Sequence, residues 1–144
     1  MNASTIFTAD QKENIVKIIQ AAEQNTSGEI RLHIEDHCKL NPFDRALEVF
    51  YKLKMDKTKQ RNGVLIYVAI KDRKLAIIGD KGIHDIVSNT FWDAILHDLK
   101  QGFAEGAYYA SLAKAIEMAG IKLQTHFPIE KNDKDELDNE ISFG

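Results

Sequence analysis

The sequence predicts an α/β fold, a small mixed β-sheet with helices on both faces. Three observations predict it. Hydrophobic periodicity switches between helical and strand spacing along the 144 residues, in the order α-β-α-β-β-α-α. The first two strand-like runs are separated by a helix-like one, so they should lie parallel, joined by a right-handed crossover. The second and third are separated by a tight turn, so they must form an antiparallel hairpin.

Thr8, with Gln11 three positions on, has the form of a capping box. Ile15, Ile18, Ile19 and Ala22 follow at helical spacing, so residues 9 to about 24 read as an amphipathic helix. Asn25-Thr26-Ser27-Gly28 ends it with turn chemistry. Glu29 to Glu35 alternates, with Ile30, Leu32 and Ile34 on one face and Arg31 and His33 on the other, as in a half-covered strand. Asn41-Pro42 supplies a cap and a first-turn proline to a second helix, whose stripe is Ala46, Leu47, Phe50 and Leu53 and which ends near Lys54.

A polar, basic loop runs from Asp56 to Arg61. Asn62-Gly63 opens a nearly continuous apolar run, Val64 to Ile70, the pattern of a strand buried on both faces. Lys71-Asp72 turns the chain into a third strand, Lys74 to Ile78, which Gly79-Asp80-Lys81-Gly82 breaks. A short helix is expected from His84, and a longer one from about Asn89 through Phe91, Trp92, Ile95, Leu96 and Leu99 to Phe103. Gly106 interrupts it, and a last helix with Leu112, Ala115, Ile116 and Ala119 is expected to stop at Gly120. Residues 129 to 144 hold six acids against two lysines, so a domain over residues 1–127 is followed by an expected mobile acidic tail, 128–144. Within it Leu137, Ile141 and Phe143 suit docking on a partner or folding back on the domain.

Net charge is −3, which leaves no basic footprint for nucleic acid and no polybasic patch for a membrane surface. Cys38 is the one cysteine, so no disulfide forms within the chain. The first ten residues lack the charged start and apolar run of a signal peptide, and the longest apolar run is strand-sized. The expectation is a soluble, cytoplasmic protein without membrane insertion.

Five local signatures, in register, resemble the TPM domain family. They are Thr26-Ser27-Gly28-Glu29-Ile30 entering the first strand, Arg61-Asn62-Gly63-Val64-Leu65-Ile66 entering the second, and Lys71-Asp72-Arg73-Lys74 at the hairpin. Gly79-x-x-Gly82 and Phe103-x-x-Gly106-x-Tyr108 complete the set, and the match covers roughly residues 8 to 123. The resemblance implies a three-layer α/β/α sandwich. It also implies divalent cation binding, an acid-phosphatase activity attributed to some members, and accessory roles in others.

Topology decides which motifs can meet. The start of the first strand (Ser27, Gly28, Glu29), the start of the second (Asn62, Gly63) and the end of the third (Gly79, Asp80) belong at one edge of the sheet. Glu29, Asp56 and Asp80 supply hard oxygens there, with Asn62, Thr58 and backbone carbonyls as neutral additions. Calcium or magnesium prefers such ligands. The plainer reading is that Asp80 caps the next helix and Glu29 is a solvated strand end. The opposite edge, with Glu35, Asp36, His37 and Asp72, competes, because open α/β sheets bind ligands beyond the carboxyl ends of parallel strands. Its charged hairpin tip reads equally as solvated surface.

A phosphatase at the first edge would use Arg61 and Lys57 to hold phosphate and Asp80 to hold the metal. No Cys-x5-Arg loop accompanies them. His33, His37 and Cys38 invite a zinc reading, but a fourth ligand is not apparent, and a lone cysteine is commonly a small apolar core group. The sequence therefore points to a calcium- or magnesium-binding accessory domain with a protein partner. A metal-assisted phosphatase using the same edge is the alternative.

Overall fold

The computed structural model describes residues 1–88, 90–129 and 138–144. Its elements are α1 (Ala9–Glu23), β1 (Glu29–Glu35), α2 (Pro42–Lys52), a 3-10 turn at Met55–Lys57, β2 (Gly63–Ala69), β3 (Lys74–Gly79), α3 (Lys81–His84), α4 (Asp93–Ala104), α5 (Tyr108–His126) and β4 (Ser142–Phe143). The strand order is β3-β2-β1-β4. β1 runs parallel to β2, from Glu29 opposite Gly63 to Glu35 opposite Ala69, and β2 runs antiparallel to β3.

Local chemistry accounts for the ends of the elements. Thr8 Oγ1 accepts from the Gln11 amide at 3.1 Å while Gln11 Oε1 accepts from the Thr8 amide at 3.0 Å, the reciprocal capping box. Asn41 Oδ1 accepts from the Phe43 amide at 2.9 Å and Pro42 opens α2. Gly106 takes φ +81°, the left-handed turn that lets α4 reverse into α5.

The sheet is covered on both sides, as the α/β/α sandwich requires. Ile30, Leu32, Ile34, Val64, Ile66 and Val68 face a core shared with α1, α4 and α5. Leu65, Tyr67, Ala69, Ala76 and Ile78 face Ala46, Val49 and Phe50 of α2, with Met55 of the 3-10 turn.

Several local expectations change. β1 is not half-covered: His33 and Glu35, on its second face, are buried. On α2 it is Val49 that enters the core, whereas Leu47 is 36% exposed. α3 ends at His84 instead of starting there, because Asp80 caps it four residues earlier. Phe91 and Trp92 precede α4, and the expected start at Asn89 lies outside the described residues. α5 does not stop at Gly120. A Cβ there would sit 2.8 Å from Ala22 Cβ, so this glycine serves the close approach of α1 to α5 and the helix continues to His126.

The end of the acidic segment returns to the sheet. Ser142 and Phe143 pair parallel with His33 and Ile34 as β4, and Ile141 packs against the core. Leu137 lies outside the described residues.

Candidate functional site

The first-edge motifs do meet. Glu29 lies opposite Gly63, and Val64 opposite Gly79. Five buried polar residues gather at this end of the sheet: Thr26, Glu29, Thr58, Asn62 and Asp80. Hydrogen bonds knit the loops together. Thr58 Oγ1 accepts from the Asn62 amide at 3.3 Å, Asn62 Nδ2 donates to Ser27 Oγ at 3.2 Å, and Thr26 Oγ1 accepts from the Gly28 amide at 3.0 Å. The Ser27 amide donates to the Phe127 carbonyl at 2.9 Å, tying the end of α5 to the same place.

Asp80 stands at the centre, 4% exposed. Arg61 grips it with a two-pronged fork, Nε to Oδ2 at 2.7 Å and Nη2 to Oδ1 at 2.9 Å. Oδ1 also accepts from the Lys81 amide at 2.7 Å, so Asp80 does cap the next helix. The fork raises the pKa of the Arg61 guanidinium, chiefly through that hydrogen bond.

These contacts test the cation reading. Both Asp80 oxygens are engaged by Arg61. Asp56 lies 3.6 Å from Lys57 Nζ. Glu29 is buried, not a solvated strand end. Asn62 Oδ1 is buried with no hydrogen-bond partner among the described residues. Among the described residues no group of three or more His, Cys, Asp or Glu side chains converges as metal ligands do. The four predicted residues share an edge, with both Asp80 oxygens held by Arg61 and Asp56 beside Lys57.

The opposite edge holds a second polar cluster. Arg45 of α2 forks onto Glu35, Nε to Oε2 at 2.8 Å and Nη2 to Oε1 at 2.9 Å. Tyr67 donates its hydroxyl to Glu35 Oε2, and His33 Nε2 lies 3.2 Å from Oε1. Burial alone would raise the Glu35 carboxyl, but the bonds from Arg45, Tyr67 and His33 outweigh it and hold the pKa at about 2. Burial and the bond to Glu35 push the Tyr67 hydroxyl up, while burial lowers His33 against the pull of Glu35. Asp72 accepts from the Cys38 amide at 2.7 Å and meets His37 Nδ1 at 3.1 Å, two contacts that lower its carboxyl. Asp36 Oδ1 accepts from the Ala3 amide at 2.7 Å. The side chains of His33, His37 and Cys38 do not converge: His33 meets Glu35, His37 meets Asp72, and Cys38 is buried, its thiol directed to the Leu40 carbonyl at 3.2 Å.

Arg45 and Tyr67 were absent from the sequence-based site. A charged residue one turn into the helix that follows β1 and crosses over to β2 is the signal that could have placed Arg45 there.

The TPM domain family model matches residues 1–121. The chain belongs to the TPM domain family. The solved structure of BA42 protein from the psychrophilic bacterium Bizionia argentinensis is 49% identical, with a TM-score of 0.89 over 96% of this chain and 95% of that one. Two further solved structures share the fold at low identity. The N-terminal domain of a P. gingivalis protein shares 16% identity at TM-score 0.71, over 86% of this chain and 80% of its own. The N-terminal domain of cg2496 from Corynebacterium glutamicum shares 14% at 0.64, over 81% and 74%. No curated protein matches the chain. No described helix of this TPM domain is long and apolar enough to cross a membrane.

Proposed function

We propose that this TPM domain is an accessory module that works by binding a protein partner and not by turnover. The observation that carries the reading is the locking of its acidic groups. Asp80 is held by Arg61, Glu35 by Arg45, and Asp72 by His37 and the Cys38 amide. Catalytic carboxylates need a proton or a metal to exchange, whereas carboxylates fixed by forked guanidinium groups are structural joints.

The metal-assisted phosphatase is the competing class, and it needs Asp80. The test is hydrolysis of a small aryl phosphate with and without magnesium, in the wild type, Asp80→Ala and Asp80→Asn. The expected result is no turnover above the variants. Magnesium-dependent turnover lost in both variants overturns the binding-module reading in favour of the enzyme.

Calcium or magnesium at Glu29, Asp56, Asn62 and Asp80 is a second reading, supported by one atom. Asn62 Oδ1 is a buried oxygen with no partner among the described residues, on a residue 1% exposed. In that reading Asp80 must exchange Arg61 for the ion, so the cation tunes the edge and does not hold it together.

A further inference from the structure

β3 ends the sheet, with β2 on one side and no described strand on the other. The Asp80 amide donates to the Gly63 carbonyl at 2.9 Å, which sets the phase of the antiparallel ladder. Ile78, Ala76 and Lys74 therefore bond inward, to Leu65, Tyr67 and Ala69. Leu75, Ile77 and Gly79 turn their N–H and C=O groups outward, and no described residue bonds to them. An open edge would leave such groups to water. Here Leu75 is 7% and Ile77 6% exposed, so the unpaired backbone lies in the floor of a trough.

The trough, about 290 Å³, runs between Phe43 at the start of α2 and Trp92, Leu96 and Lys100 along α4. It shares Leu75 and Lys100 with a cavity of about 660 Å³ at the hairpin end, which is floored by Phe103 and Tyr108 and rimmed by Lys71 and Arg73. Trp92 Nε1 is a buried donor with no acceptor among the described residues, and Trp92 lines the trough beside Gly79. Although the chain carries net charge −3, Asp93 is the one acid among the described residues lining either space, against Lys71, Arg73, His84 and Lys100. No described residue pairs with Lys71, Arg73 or Lys100 through its side chain.

A second copy does not suit this edge. Two-fold pairing of β3 on β3 would bring the same cations of both chains into one seam. The missing partner has unpaired backbone of its own, apolar side chains for Phe43 and the cavity, and carboxylates for the rim. We propose that β3 receives, as a further strand, an extended segment of a partner protein in which acidic and apolar residues alternate. This rests on the binding-module reading above and gives it a surface.

The probe is a nine-residue, end-blocked peptide alternating glutamate with leucine and valine, titrated into the isotope-labelled full chain. A peptide with lysine for glutamate is the control. Before addition, the Leu75, Ile77 and Gly79 amides should exchange with solvent faster than those of Ala76, Ile78 and Asp80. On addition, the same three amides and the Trp92 indole N–H should shift saturably and gain protection, with the control peptide inert. Arg73→Glu with Lys100→Glu, both exposed positions, should weaken the interaction by about tenfold or more. Three results overturn the proposal: slow exchange at Leu75 and Ile77 in the free chain, no saturable shift along β3, or shifts that follow protein concentration because the chain dimerises there. A silent β3 without phosphatase turnover leaves the binding module standing with its surface elsewhere. Turnover lost in Asp80→Ala overturns the module reading whatever β3 does.

Discussion

Arg61 closes on Asp80 across 19 residues of sequence, with Nε 2.7 Å from Oδ2 and Nη2 2.9 Å from Oδ1. Arg61 adopts φ +51° to do so, and its carbonyl accepts from the Gly82 amide at 2.8 Å. One residue thus holds the carboxylate that caps α3 and the backbone of the first turn of α3. The loop before β2, the end of β3 and α3 form a single joint.

That joint makes Arg61→Gln informative. The substitution leaves the buried Asp80 carboxylate without its cation, so stability should fall, read by urea unfolding as a lower midpoint. The same change frees the oxygens a divalent ion would need. Amide titration with calcium and then magnesium should give saturable shifts at Ser27 to Glu29, Asn62 to Gly63 and Gly79 to Gly82 that are tighter by about threefold or more in the variant. Equal or weaker response in Arg61→Gln would remove Asp80 from any cation site.

Gly82→Ala tests the joint from the other side. A Cβ at this position would lie 2.6 Å from the Arg61 carbonyl oxygen and closer still to that of Gln60. Backbone cannot yield as a side-chain tip does, so α3 must move off the loop. The expected cost is about 1–3 kcal/mol, with amide shifts spreading to Asp80 and Arg61. A neutral substitution would mean that the loop and α3 are not in fixed contact.

Much of this architecture was legible because it rests on local chemistry. Thr8 and Gln11, Asn41 and Pro42, and the Lys71-Asp72 turn act on neighbours in sequence, and the strand spacing then fixes which ends share an edge. The failures are long-range. The alternation of β1 shows polar residues at His33 and Glu35 but not that Tyr67 and Arg45 arrive to satisfy them in a buried layer. Gly120 reads as a helix stop until Ala22 is seen against it. Ser142 and Phe143 form too short a strand, inside too acidic a stretch, to show any period. Arg61 and Asp80 were both visible as charges at the right edge. That they answer one another depends on a distance that sequence does not carry.

β4 predicts a measurable change at His33. Ser142 Oγ lies 3.0 Å from His33 Nδ1, and Gly144 lies so close to the ring that a Cβ there would meet Nε2 at 2.7 Å. Burial is the main reason the His33 pKa is lowered from 6.5. Removing residues 142–144 lets water reach the imidazole, so its pKa should move up toward the ordinary value, followed by NMR of the ring protons. An unchanged titration would show that β4 does not bury His33 in solution.

Glu35 sets the stability of the fold in acid. Its pKa is about 2 in the folded chain against an ordinary value of 4.5. As pH falls, the unfolded chain takes up this proton first. The contribution of Glu35 is therefore fully present above pH 4.5 and is lost as pH falls toward 2. His33 acts in the same direction from a higher starting point, because its lowered pKa leaves the unfolded chain to protonate first below 6.5. Glu35→Gln separates the two. The variant should be less stable than the wild type by about 2–3 kcal/mol near neutral pH, and the gap should narrow from pH 4.5 to 2. The slope below 6.5 that belongs to His33 should survive the substitution. Urea unfolding across this range reads both. A gap that stays constant down to pH 2 would show that Arg45 and Tyr67 do not hold the Glu35 proton off, and the cluster would then be a packing contact without electrostatic weight.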